Sequence, residues 1–434
     1  MHNLFSIRSL YQGIIILTIL LFIPLRLEAA AFNPSKIVGD IENWFEDRFE
    51  DLLDLNDDKQ SSEQKISIRE LRASNKALSK EEADKVSSLL WENFLKNKKS
   101  KFNNIWNSKV IEVKDVKMKF NYKIYGQKPK DGWSLYISLH GGGAVSTAKN
   151  DQQWKNQLNL YKPKQGIYIA PRAPTDTWNL WHREPLDKLI RKLIKTAIVA
   201  KGVNPNKVYL LGYSAGGNGV YRLATRLADY FAASSAMAGH PGGVSPLNLY
   251  NLPFAIHVGQ YDNGYKRNVK AREWHKKLSD LQALDKNGYI HKVKLHEGKG
   301  HWMDLQDKEA IPWMEQFSRN PLPTKIVLRN DDSPQPQFYW LFFPKDERRK
   351  GQEITAQIKG QRIILSNVND INKIRIFLND SMIDLDKEIL VESNNITLFR
   401  GKVKRSARVL AGSFYKKRDP NLIFSAGINI QFVK

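Results

Sequence analysis

The 434-residue sequence contains no cysteine. That absence excludes a disulfide framework, Cys-ligated zinc or iron–sulfur centres, thiol catalysis and a lipid-modified N-terminal cysteine, so any nucleophile must be an oxygen or a nitrogen. Acidic residues are scarce beside basic ones, 45 against 68, for a formal charge of +23. A field of that sign draws in polyanions, and acidic polysaccharide is one expected class of partner. The Lys and Arg residues are scattered, without a long basic block or an aromatic-interleaved motif, so no specific nucleic-acid partner is expected. Internal repeats and low-complexity segments are missing as well.

Long apolar runs are confined to one place, Gly13 to Leu25, which follows Arg8, is interrupted by Pro24 and leads to Ala29-Ala30-Ala31. The run is short for a bilayer span of about 20 residues and has the order of a secretory leader, charged, then apolar, then small. The expectation is an exported protein, periplasmic or secreted, cleaved near Ala30/Ala31 and with no membrane span afterwards. An uncleaved anchor is the weaker alternative because Pro24 breaks the helix where an anchor needs it continuous.

At about 150 residues per domain, the length allows two or three domains. Residues 32 to 60 hold nine acids and three bases, with Ile37, Ile41, Trp44, Phe45, Phe49, Leu52 and Leu53 at helical spacing. A second helical pattern runs from Ser79 to Leu95. Residues 32 to 108 therefore read as a helical N-terminal extension after the leader at 1 to 31, with a lid over a site as its functional alternative. From Val110 strands alternate with helices as far as Leu295, the pattern of a doubly wound, mostly parallel α/β sheet spanning residues 109 to 322. After Pro321 and Pro323 short strands predominate, so residues 323 to 434 read as a mainly β accessory domain. There, Asp380, Asp384 and Asp386 suggest calcium at first sight, but an EF-hand starting at Asp380 needs Gly and Glu where Leu385 and Val391 stand. These acids read as turn and strand-edge residues, and no metal or organic cofactor is expected.

The chemistry concentrates in four strand-to-loop junctions. Gly212-Tyr213-Ser214-Ala215-Gly216 is G-x-S-x-G directly after the apolar strand Lys207 to Leu211 and before a helix, the context in which a serine is exposed at a strained turn. His140-Gly141-Gly142-Gly143 ends the strand Trp133 to Leu139, and glycines let backbone amides approach a developing oxyanion. The expected donors are Ala215 and one or two amides from Gly141, Gly142 and Gly143. Asp262 follows the strand Phe254 to Val258, and His301 follows the strand His291 to Leu295 in a Gly-flanked loop. Loops after parallel strands gather at one sheet edge, so His301 can take the Ser214 proton while Asp262 orients the imidazole. Asp304 is the rival for the acid role. The loop from Ala173 to His182 offers Asp176, Trp178, Asn179, Trp181 and His182, and Tyr213 precedes the serine. These six are expected to bind substrate, with packing of the loop onto the body as the equal alternative for Trp178 and Trp181. Asn150, Asp151 and Trp154 are candidates for the same rim.

The order HGGG, GYSAGG, YDN and GKGHW resembles the α/β-hydrolase superfamily, and within it the secreted esterase branch of poly(3-hydroxybutyrate) depolymerase-like and feruloyl/acetyl-xylan esterase-like proteins, over roughly residues 110 to 320. The resemblance implies an exported serine hydrolase that cleaves a small-molecule or polymeric carboxylic ester through an acyl-enzyme. A serine peptidase on the same fold, and a non-catalytic binder of acidic polysaccharide using the basic surface and the β domain, are the other two readings.

Overall fold

The computed structural model describes residues 33–39 and 77–432. The leader lies outside the described residues, and so does the acidic amphipathic helix, apart from a short helix at 34–39. Among the described residues, no helix is long and apolar enough to cross a membrane.

From a two-residue strand, β1 (Ala77–Leu78), the chain enters the long helix α1 (Lys80–Ser108). Ser79 starts it with a reciprocal cap: its hydroxyl accepts from the Glu82 amide at 3.1 Å while the Glu82 carboxylate accepts from the Ser79 amide at 2.8 Å. The helix runs well past Leu95, where the sequence pattern stops. The polar stretch from Lys96 to Lys101 hides its continuation, and the buried stripe of Val86, Leu90 and Phe94 resumes at Phe102 and Trp106. Lys109, in the left-handed region at φ 55°, ends it.

An eight-stranded sheet follows, built from β2 (Val110–Val113), β3 (Val116–Tyr125), β4 (Trp133–Leu139), β5 (Gly166–Pro171), β6 (Val203–Tyr213), β7 (Ala233–Met237), β8 (Phe254–Gly259) and β9 (His291–His296). Its order is β2-β3-β5-β4-β6-β7-β8-β9. The pairs β2/β3 and β3/β5 are antiparallel and the rest parallel, as the doubly wound reading expects. This is an α/β fold with the strand order of the α/β-hydrolase sheet. The connecting helices are α2 (Thr147–Leu160), α3 (Leu186–Lys201), α4 (Ala215–Arg226), α5 (Arg267–Leu284) and α6 (Ala310–Met314). Sequence periodicity does not reveal α2, because its two buried residues, Asn150 and Gln157, are polar.

Alternation along the central strands divides two cores. Leu135, Ile137, Leu139, Val208 and Leu210 join residues of α3, α4 and α5 in an aliphatic core, while Tyr136, Tyr168, Tyr209 and Tyr213 meet Ala310 and Met314 of α6 in a tyrosine-rich one. Those phenols are satisfied: Tyr136 by Glu315, Tyr168 by Ser138 and the Gln157 carbonyl, Tyr209 by the Phe317 carbonyl.

Beyond α6 come β10 (Lys325–Arg329), β11 (Gln337–Phe338), β12 (Leu341–Phe342), β13 (Glu353–Lys359), β14 (Arg362–Asn369), β15 (Lys373–Leu378), β16 (Ile389–Ser393), β17 (Ile396–Gly401), β18 (Arg405–Ser406), α7 (Ala407–Lys417) and β19 (Ala426–Gln431). They form two sheets, β10-β13-β14-β16-β17 and β11-β12-β15-β19. The aliphatic core runs without a break from the large sheet into these strands. Ion pairs reinforce the seam: Arg226 with Asp332 at 2.7 Å, Arg319 with Asp419 at 2.7 Å and Lys417 with Asp229 at 2.5 Å. The acids once suggestive of calcium hold Arg405, whose guanidinium reaches Asp380 at 2.6 Å and Asp386 at 2.7 Å. Among the described residues no cluster of potential metal ligands occurs.

Helix α1 is fastened rather than hinged. β1 pairs with β18, Trp106 packs on Phe120 and Tyr122, and Phe94 meets Phe414 of α7 edge-on at 5.5 Å. Phe94→Ala removes a buried ring from this junction, and the expected loss is about 3–5 kcal/mol of unfolding free energy, measured by urea denaturation.

Candidate active site

Ser214 occupies the single residue between β6 and α4, at φ 57° and ψ −119°. A non-glycine residue in that region costs on the order of 1–3 kcal/mol and persists only where its surroundings dictate it. Here the dictation is steric. A Cβ on Gly216 would lie 2.0 Å from the Leu139 carbonyl oxygen, and one on Gly212 would lie 2.5 Å from the Gly216 carbonyl oxygen. The turn is therefore pressed against the end of β4 with backbone touching backbone. Two hydrogen bonds hold Ser214 in place, from its amide to the Met237 carbonyl at 2.9 Å and to its carbonyl from the Asn218 amide at 3.0 Å.

The loops after β8 and β9 bring the acid and the imidazole to this serine. His301 Nε2 lies 3.0 Å from Ser214 Oγ, and His301 Nδ1 lies 2.9 Å from Asp262 Oδ2. With Nδ1–H donating to the carboxylate, Nε2 presents its lone pair to the hydroxyl. Asp262 is 2% exposed, and its other oxygen takes Arg267 Nη1 at 3.3 Å. The two loops touch where a Cβ on Gly259 would lie 1.9 Å from the Gly300 carbonyl oxygen. Asp304 pairs with Lys299 at 2.7 Å, and it is Asp262 that the imidazole meets. The Tyr213 hydroxyl donates to the His301 carbonyl at 2.6 Å, so this residue holds the histidine loop from beneath.

The glycine run after β4 is fixed by side chains beneath it. His140 is fully buried; its Nε2 accepts from the Ala173 amide at 3.1 Å, which leaves Nδ1–H to donate to the Gly141 carbonyl at 2.6 Å. Burial pushes this imidazole down to about 4, so it is neutral. Because a trans peptide holds its C=O and N–H in opposite directions, anchoring the Gly141 carbonyl also aims the Gly142 N–H. Gly142 and Gly143 have φ of 111° and 123°, and a Cβ on Gly142 would strike Asn150 Oδ1 at 2.2 Å. The Gly143 amide donates to Asn150 Oδ1 at 3.0 Å, which removes one of the amides expected to face an oxyanion. Gly141 serves by close approach: its Cβ position is 3.2 Å from Ser214 Cβ. The amides of Gly142 and Ala215 have no acceptor among the described residues.

The expected substrate wall divides into support and surface. Trp181 is buried, its indole N–H donating to the His140 carbonyl at 2.9 Å and its ring edge-on to that imidazole, so packing is its role. Asp176 is likewise internal support. Against the cost of its partial burial, hydrogen bonds from Thr147, Arg172 and Asn150 hold its carboxyl below the usual range. Asn150, placed on the rim from sequence, is buried under the glycine loop, and Trp154 donates its indole N–H to the Ala170 carbonyl at 2.8 Å. Trp178 remains open, 69% exposed, with its Cα 3.5 Å from the Cβ position of Gly143. Asn179 accepts from Thr177. His182 stands edge-on to the Trp178 ring at 5.8 Å, and burial together with Arg222 and Arg226 lowers its imidazole to about 4. Two further exposed aromatics, Tyr261 beside Asp262 and Trp302 beside His301, were not singled out from sequence. Their position next to the acid and the histidine was the only available signal.

No family model matches the chain, and no curated protein matches it. Among solved structures, it is similar to a thermostable esterase at 19% identity and a TM-score of 0.40, over 47% of this chain and 60% of that one. It is also similar to a poly(3-hydroxybutyrate) depolymerase from Bordetella parapertussis at 17% identity and a TM-score of 0.36, over 48% of this chain and 86% of that one. A third is the feruloyl esterase module of Clostridium thermocellum at 14% identity and a TM-score of 0.34, over 45% and 83% respectively. The chain thus spans 60% of the length of the first of these. The fold assignment rests on the strand order and the crossovers.

His140 makes a pH prediction. Its folded pKa of about 4 lies below the ordinary imidazole value of 6.5, so the unfolded chain binds the proton first as pH falls. Its contribution is present in full above pH 6.5 and is lost as pH falls from there toward 4, amounting to about 3 kcal/mol. In urea unfolding at a series of pH values, His140→Gln should flatten the acid limb of the stability profile by about one proton.

Proposed function

We propose that this protein is an exported serine hydrolase that cleaves carboxylic esters through an acyl-enzyme. The observation that carries the reading is the bridging position of His301, 3.0 Å from the hydroxyl of a strained serine and 2.9 Å from a buried carboxylate. Export is supported by the leader-like order of residues 8 to 31.

Ser214 Oγ attacks the ester carbonyl as His301 Nε2 takes its proton, and Asp262 stabilises the imidazolium and fixes its tautomer. The carbonyl oxygen gathers charge and is met by the amides of Gly142 and Ala215, with the positive end of α4 behind them. His301 then delivers the proton to the departing alkoxide, leaving Ser214 acylated. A water, deprotonated by the same nitrogen, repeats the addition and releases the acid. The exposed Trp178 offers a stacking surface for the acyl or alcohol portion, which suits small-molecule or polymeric esters with aromatic or sugar groups. The sequence requires no metal or organic cofactor for these steps.

Intact-mass measurement after a fluorophosphonate probe, followed by a p-nitrophenyl ester chain-length series, tests the reading. Wild type should gain one adduct, and both labelling and turnover should vanish in Ser214→Ala and His301→Ala. Asp262→Asn should lower kcat by about 10⁴. Turnover retained by folded Ser214→Ala rejects the assignment, and cleavage of peptide substrates but not esters replaces the esterase with a peptidase.

A further inference from the structure

Helix α3 carries Lys188, Arg191, Lys192 and Lys195, two interleaved pairs of like charges four residues apart. Like charges at that spacing repel one another, and an anion set beside them relieves the repulsion. That side lines a cavity of about 290 Å³ between α3 and the C-terminal β strands, with Arg348, Lys416 and Lys417 contributing further cations.

The carboxylates around the cavity are engaged or exposed. Asp187 is held by Arg226 at 3.1 Å and by Gln335 at 2.8 Å, Asp229 is held by Lys417, and Glu184 is exposed on the rim. Arg191 donates to the Gln335 side-chain oxygen at 3.1 Å and has no carboxylate partner among the described residues. Lys195 has neither a carboxylate nor a hydrogen-bond partner among the described residues. Burial and the neighbouring cations Arg418, Arg191, Lys192 and Lys417 hold its ammonium well below the ordinary lysine range. Lys195 is half-buried where it lines the cavity, and an opposite charge seated there would relieve the repulsion from its cationic neighbours.

We propose that this seam binds a phosphate-bearing ligand, with the phosphate seated between Lys195 and Arg191. A phosphate carries about −1.5 to −2 where a carboxylate carries one charge, and its oxygens suit the planar fork of an arginine. The cavity lies at the small end of the range for ligand pockets, about 300–1,000 Å³, which matches a pyrophosphate or a hexose phosphate better than a larger nucleotide. The site is separate from Ser214, and its occupancy does not depend on the hydrolase reading.

The test is calorimetric titration of the full chain, carrying Ser214→Ala so that catalysis plays no part. The titrants are inorganic pyrophosphate, glucose 6-phosphate and glucuronate. Saturable binding of at least one phosphate compound, weakened about tenfold or more by Lys195→Met and by Arg191→Gln, supports the site. Tighter pyrophosphate assigns the pocket to a free phosphate chain, and tighter glucose 6-phosphate to a phosphorylated sugar. Without ligand, Lys195→Met should melt at or above the wild-type temperature, because it removes a half-buried charge set among like charges. If it fails to fold, Lys195→Gln takes its place in the titration. Absence of binding by both phosphate compounds, binding unchanged in the Lys195 and Arg191 variants, or glucuronate binding as tightly as glucose 6-phosphate overturns the proposal.

Discussion

The contact on which the site depends is backbone against backbone, where Gly216 at the start of α4 meets the Leu139 carbonyl at the end of β4. No side chain fits between them. This approach presses the turn at Ser214 into its positive-φ conformation, and because His140 and Gly141 follow Leu139 directly, it also brings the glycine run beside the serine. One steric requirement thus places the hydroxyl and two amide donors together. The parallel register of β6, β7, β8 and β9 then delivers the loops carrying Asp262 and His301 to the same edge.

Strain of this kind persists only over a rigid support. A hydrogen-bonded layer beneath the glycine loop, with Asn150, Arg172 and Trp181 buried in it, provides it. Asn150 engages both the amide and the carbonyl of Gly143, Asp176 ties Asn150 to Arg172 and Thr147, and Trp181 holds the His140 carbonyl. The loop is glycine-rich in sequence and tightly held in structure. On the other side of the serine, the tyrosine-rich core ends in Tyr213, whose hydroxyl holds the histidine loop.

The C-terminal strands share the aliphatic core of the large sheet, and the seam is crossed by buried ion pairs from Arg226, Arg319 and Lys417. Cutting such pairs leaves uncompensated charge on both sides, so the two regions stabilise each other. Helix α1 joins them further, through its aromatic contacts with α7 and its position along α3. The cationic cavity is a product of this arrangement, because neither α3 nor the β strands alone encloses it.

By itself the sequence determined the alternation of strands and helices, the mostly parallel sheet, and the four junctions at which Ser214, His140 to Gly143, Asp262 and His301 sit. These are local signals: glycines that permit a close approach, and apolar strands whose ends must lie at one edge. The continuation of α1 past Leu95 and the whole of α2 were illegible because their exposed or polar residues carry no apolar period. Only the tertiary structure decided between Asp262 and Asp304, since each is one loop residue near a histidine and the choice depends on which neighbour, His301 or Lys299, each carboxylate meets. It also separated Trp178 from Trp181, identical residues three apart, one left open to solvent and the other packed under the loop. Burial and hydrogen-bond partnership belong to the folded assembly, and no spacing along the chain encodes which of two like side chains will be covered.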